Sequence, residues 1–386
     1  MTKVILFSLF LIVGLILSQI LPGVLAESYE SFRFVLTYML SISLSYIMIN
    51  VGREFILNKK EWRSYTVDYF IAMGTAALPW LFVCLYFMLI IPWEYFGDWE
   101  VWKDNLLLSR FAAPTSAGIL FSMLAAVGLK SSWVYKKIQV LAIFDDLDTI
   151  LLMIPLQIMM IGLQWELHIV LIAVTVLLYV GWKYLNRLNL PQNWYWMLLA
   201  AIGVVGISEF IYRTSLIISE NGIHIEILLP AFIFGMILKN THVETAVDHK
   251  ASTTISYIFM LLVGLSMPLF VNEGSSTDAG YSHFMPIMSW NEIIFHVFIA
   301  TFLSNIGKLV PLFFYRDRKI SERLALSIGM FTRGEVGAGI IVIAMGYNIL
   351  GSLLTISILT IVLNLILTGF FIILVKKLAL RSAIVE

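Results

Sequence analysis

The sequence predicts an all-α polytopic membrane protein of about twelve transmembrane helices, built from inverted repeats with two crossed, broken helices. Three observations lead there. Of 386 residues, 60% are hydrophobic and 13% charged, with a mean hydropathy of +0.91, whereas soluble domains carry about 25% charge. Apolar runs near the ~20 residues that cross a bilayer recur along the whole chain. Basic residues fall in alternate loops, as they do when one side of each pair of spans is cytoplasmic.

Span 1 covers residues 3–21. Its apolar run is longer than the usual 7–15 residues of a signal-peptide core, and no small-x-small site follows, so it reads as a helix that stays. Spans 2 to 6 cover 32–51, 68–92, 105–129, 134–162 and 166–186. Spans 7 to 9 cover 194–214, 223–239 and 252–271. Spans 10 to 12 cover 291–315, 321–346 and 351–376, and no soluble domain is expected beyond the last. The single cysteine, Cys84, lies in an apolar run and reads as a small core residue. The six histidines show no metal-ligand spacing. A net charge of zero offers nothing for nucleic acid.

Loop charge fits this count. With a cytoplasmic N-terminus, 19 of the 25 Lys and Arg residues fall on the cytoplasmic side. Only 3, Arg33, Lys103 and Arg213, fall outside. The remaining 3, Arg110, Lys308 and Arg333, lie inside spans. The outer loops are acidic or neutral and aromatic, as in IPWEYFGDWEVW.

The chemistry centres on span 5. Its run IQVLAIFDDLDTILLMIPL places Asp145, Asp146 and Asp148 inside the apolar segment. A charge at the bilayer centre costs about 2.5–3.5 kcal/mol on insertion scales, so these carboxylates face a protein interior or a wet cavity. Asp146 lies about 12 residues in from the cytoplasm, roughly 18 Å along the axis and near mid-depth. The bland alternative is that Asp145 and Asp148, three apart on one face, are structural and paired with a buried Arg or Lys.

Two other spans break at matching depth. Span 4, entering from outside, carries Pro114, Thr115, Ser116 and Gly118 in RFAAPTSAGIL. Proline removes a donor there, and unwound carbonyls and hydroxyls can ligate cations; the alternative is an ordinary proline kink. Span 11, entering from the cytoplasm, carries Arg333, Gly334 and Glu335 in TRGEVGAG. Opposed spans that both break near the midplane mark a secondary transporter of inverted repeats. Arg333 and Glu335 could instead form a structural pair. Lys308 in span 10 either snorkels to the cytoplasmic interface or is a buried ammonium paired with a carboxylate of span 5.

These motifs, in this order, resemble the monovalent cation/proton antiporter superfamily in its second, bacterial-rich branch. Asp145–Asp146 resembles the family's aspartate pair, APTSAG its broken helix 4, Lys308 the lysine of its electrogenic members, and TRGEVGAG the Arg-Gly-Glu motif of its broken helix 11. The match runs from about residue 68 to 376. Asp148 and Pro114 depart from the pattern. The resemblance implies a bacterial sodium/proton antiporter of the inner membrane, not an enzyme, with both termini cytoplasmic and no cofactor. It implies scaffold and dimer helices in 1–67 and 188–272, a linker in 163–187, and a core in 68–162 and 291–378. A homodimer, surrounded by lipid and serving pH homeostasis, is expected.

The expected mechanism is competition. Ionised Asp146, with Asp145, Thr115 and Ser116, holds a dehydrated monovalent cation, Na⁺ before K⁺ or Li⁺, and protonation expels it. Asp145 pairs with Lys308 when the site is empty, so that exchange is electrogenic. Pro114, Arg333 and Glu335 brace the crossing, and Asp148, about 200° from Asp146, has an accessory role. Other classes stay open. A cation channel or uniporter uses similar carboxylates but needs a selectivity ring. An organic-anion symporter needs fewer carboxylates. An intramembrane aspartyl protease takes its two aspartates from different helices.

Overall fold

The computed structural model describes residues 2–25, 28–54, 62–161, 165–217, 227–239, 245–267, 285–286, 288–347, 349 and 351–383. The described chain is α-helical: α1 (Thr2–Leu25), α2 (Tyr29–Glu54), α3 (Trp62–Ile90), α4 (Trp99–Ser109), α5 (Ala117–Ala126), α6 (Trp133–Ile161), α7 (Trp165–Lys183), α8 (Trp194–Ser215), α9 (Leu228–Ile237), α10 (Ala246–Leu265), α11 (Trp290–Gly307), α12 (Val310–Phe313), α13 (Ile320–Gly329), α14 (Glu335–Gly346) and α15 (Ser352–Ala383). Every expected span has a helix over it. Among the described residues, seven stretches are long and apolar enough to cross a membrane by length and composition alone. The others are shorter, interrupted or carry charge.

Three spans are split. Span 4 is α4, a short 3₁₀ turn at Arg110–Ala112, a non-helical stretch at residues 113–116, and α5. Span 11 is α13 and α14, separated at residues 330–334. Both breaks were expected. The third was expected as one continuous helix: span 10 ends at Gly307, turns through Lys308 and Leu309, and resumes as α12. Gly307 lies so close to α3 that a Cβ there would overlap the Pro79 nitrogen. A larger residue would separate the two backbones. Helix α10 starts at Ala246, ahead of its expected 252, because a cap replaces apolar character there: Thr245 N–H donates to Asp248 Oδ2 at 3.0 Å and Asp248 N–H to Thr245 Oγ1 at 3.2 Å.

The helices form two compact units. One comprises residues 1–26, 63–149 and 263–386 and holds both expected breaks. Within it α15 packs against α11 and α13, with Asn305 Nδ2 donating to Asn364 Oδ1 at 3.0 Å and Phe331 edge-on to Phe371. Helix α1 also belongs to this unit, whereas the expectation grouped it with α2 over residues 1–67. It packs on α15 and α5, and Gly369 lies against the Ser8 side chain. The resemblance to the antiporter superfamily had implied the other grouping. The second unit comprises residues 27–62 and 150–262. There α2 and α9 cross closely, with Gly52 against the Phe232 carbonyl and Gly235 against the Ile49 carbonyl, the small-residue contact typical of membrane helices.

Candidate functional site

The two broken spans meet at their interruptions. The Ser116 N–H donates to the Thr332 carbonyl at 3.0 Å, and the Thr115 hydroxyl donates to the Met330 carbonyl at 3.2 Å. Gly334 makes this approach possible: a Cβ there would sit 2.9 Å from Ser116 Oγ and 2.9 Å from Ile119 Cδ1. Ser116 also caps α5, its hydroxyl accepting from the Ile119 N–H. Each break exposes one helix C-terminus and one helix N-terminus to the crossing. Partial negative and partial positive ends are thus brought to one place in the interior.

The side chains match those ends by sign. Asp145, from the middle of α6, accepts from the Thr115 N–H at 2.7 Å, just before the start of α5. Lys308, at the turn that ends α11, donates to the Ala113 carbonyl on the other side of the break. The two pair directly: Lys308 Nζ lies 3.1 Å from each Asp145 carboxylate oxygen and 3.0 Å from the Thr115 hydroxyl. Both residues are 0% exposed. Lys308 therefore does not snorkel. The turn at 307–309 directs it inward, and four oxygens replace the water its ammonium would otherwise hold.

Asp146 and Asp148 sit on the same helix, 8% and 1% exposed. Asp146 is the least enclosed of the three carboxylates. Asp148 lies beside the Tyr69 hydroxyl of α3 and the Arg110 guanidinium. Pro114 is buried in the non-helical stretch, and the break it occupies is a full interruption, more than a kink. Arg333 is 1% exposed and donates to the Met330 and Ser304 carbonyls, each at 3.2 Å. It thereby ties the span 11 break to α11. Glu335 begins α14, but its side chain lies outside the described residues, as does any pairing with Arg333.

Two groups of residues escaped the sequence reading. Arg110 is 0% exposed, and its guanidinium lies 4.7 Å from the centre of the Trp80 ring. Its position inside an apolar span was the available signal. Asp68, near the start of α3, is 1% exposed and takes Lys137 Nζ at 2.8 Å and the Tyr315 hydroxyl at 2.6 Å. Tyr315, the last residue of expected span 10, stands between α12 and α13, beyond the membrane-crossing stretch that ends at Phe313. Burial, and then the bond to Asp68, push its hydroxyl above the ordinary tyrosine range, so it remains a donor. Nothing in the sequence distinguished these residues from solvated loop-end charges.

The site's oxygens are carboxylate, hydroxyl and carbonyl, which suit hard cations over soft ones. No curated protein matches the chain. The family model for the transmembrane sodium/hydrogen exchanger matches residues 2–377. With buried carboxylates held at a crossing of two interrupted spans and a match over nearly the whole chain, this protein belongs to the sodium/hydrogen exchanger family of transmembrane cation/proton exchangers.

Proposed function

We propose that the protein is an electrogenic antiporter that exchanges Na⁺ for protons by alternating access, with cation and proton competing for Asp146 and Asp145. The observation that carries this reading is the fully buried pair of Asp145 and Lys308 at the crossing of the broken spans. An ammonium and a monovalent metal ion carry the same charge, so each can serve the same carboxylate, and one displaces the other. Thr115 and Ser116 supply oxygens beside it, and Arg333 braces the crossing with Pro114 and Glu335. A cation arriving at Asp146 and Asp145 releases Lys308, which can then lose its proton; protonation of the carboxylates reverses the step. Coupled carboxylates release protons as a group, so the exchange is described for the pair. The loop-charge pattern supports cytoplasmic termini, and the motif resemblance is the ground for a homodimer in a bacterial inner membrane.

The test is flux in vesicles holding the purified protein, with Na⁺, Li⁺ or K⁺ added to a preformed pH gradient. Na⁺ is expected to collapse the gradient. Collapse by K⁺ alone would reassign the ion. Cation movement without proton movement would replace the antiporter by a uniporter or channel.

A further inference from the structure

Arg110 is the buried cation that the exchange mechanism leaves unused. Its Nη2 donates to the main-chain carbonyl of Asp148 at 3.2 Å, while Nε and Nη1 are buried with no hydrogen-bond partner. The Asp148 carboxylate has a buried Oδ2 in the same condition. The Trp80 ring lies 4.7 Å from the guanidinium, its own indole N–H held by the Leu106 carbonyl at 2.8 Å. Asp145 and Asp148 are the acidic groups that act electrostatically on Arg110. The guanidinium is thus oriented by a carbonyl and a ring face beside two carboxylates.

We infer that Arg110 is a positioning residue of the ion site, whose fixed charge offsets Asp148 and leaves Asp145 and Asp146 to the transported cation. The inference rests on the exchange reading above. Three buried carboxylates of α6, Asp145, Asp146 and Asp148, share this compact unit with three buried cations of the interrupted spans, Lys308, Arg110 and Arg333. Lysine can release its proton; arginine cannot. Arg110 is therefore a permanent positive charge, and Asp148 is the carboxylate that the exchange does not need. At a pH that keeps Asp148 ionised, loss of Arg110 leaves a third negative charge that holds the cation and slows its release. Without Asp148, an unmatched guanidinium would repel it. The two losses act with opposite sign, which mere structural damage does not do.

The test is Na⁺-dependent proton flux in vesicles, read as apparent KM and maximal rate separately. Arg110→Gln is expected to lower the KM roughly tenfold, the size of one unit charge acting over a helix diameter at an effective dielectric of about 20, and to lower the maximal rate with it. Asp148→Asn should raise the KM by a similar factor. Arg110→Lys and the double variant Arg110→Gln/Asp148→Asn should return it to within about threefold of wild type. Shifts of the same sign in the two single variants, or none, would overturn the assignment. If Arg110→Gln does not fold, Asp148→Asn decides alone, and an unchanged KM there is refuting. Wild-type exchange in the same vesicles, lost in Asp146→Asn, checks the exchange reading separately. Its absence removes both proposals, whereas its presence with unshifted KM values removes only this one.

Discussion

Replacing Lys308 by Gln tests the coupling. The residue makes four polar contacts in the interior, two of them to Asp145 at 3.1 Å, with both partners 0% exposed. Removing one partner of a buried ion pair generally costs about 3–5 kcal/mol, because the other charge is stranded. Here Asp145 keeps the Thr115 N–H at 2.7 Å, and the Gln amide can restore one bond worth about 1 kcal/mol. A net loss of about 2–4 kcal/mol follows, which Asp145 can relieve by holding a proton. The functional consequence is larger. If one cation displaces two protons, each cycle moves one net charge, and the membrane potential contributes about 2.3 kcal/mol per charge per 100 mV. That is about fiftyfold in the attainable ion gradient. In Lys308→Gln one of the two protons is lost, and exchange should become indifferent to the potential or stop. The assay is current from the purified protein on a supported membrane, with flux repeated under a potential clamped to zero by valinomycin and K⁺. Wild-type exchange that ignores the potential, or a Lys308→Gln variant that behaves as wild type, would refute the coupling while leaving the family unaffected.

Other outcomes follow from the same contacts. Asp146→Asn should fold, reach the membrane and lose cation-driven proton flux; retained flux would move the ion elsewhere. Gly334→Ala should push Ser116 and Ile119 away from the crossing, since its Cβ would sit 2.9 Å from each, costing about 1–3 kcal/mol; an unchanged melting temperature and turnover would show that the crossing yields. Tyr315→Phe should cost about 1 kcal/mol at neutral pH by removing the donor to Asp68. The hydroxyl's raised pKa means this contribution is intact below the ordinary value of 10.0 and fades only as pH climbs through the higher folded value, so denaturation of both proteins in detergent at pH 7 and pH 9 should show the same difference. Lys137→Met should be worse than Tyr315→Phe, because it strands a carboxylate that is 1% exposed.

Much of the architecture was legible in the chain because membrane helices state their own boundaries. Backbone groups in hydrocarbon must be satisfied within each helix, so length and apolar character suffice. The breaks at Pro114 and Gly334 could be read because each puts poor helix formers at mid-depth in a span, next to residues too polar for lipid. The break after Gly307 was not legible, since Asn-Ile-Gly-Lys-Leu-Val resembles an ordinary helix end near the interface. It exists because Gly307 abuts Pro79, more than 200 residues away in sequence. Likewise the family resemblance implied that α1 goes with α2, while contacts with α5 and α15 place it in the other unit.

The sequence by itself determined that this is a polytopic helical membrane protein, which residues are charged at depth, and which spans are interrupted. Those properties are local: they depend on length, hydropathy and helix propensity within one segment. Only the tertiary structure decided which charge meets which. Lys308 could have reached the interface or the carboxylates, and the turn at 307–309 with the Asp145 oxygens at 3.1 Å selects the carboxylates. Arg110 lies inside an apolar span, but only the tertiary structure shows what receives it there, the Trp80 face and the Asp148 carbonyl. The pairing of buried charges depends on elements far apart in the chain. It is fixed by packing because an unmatched charge in a low-dielectric interior is too costly to leave to chance.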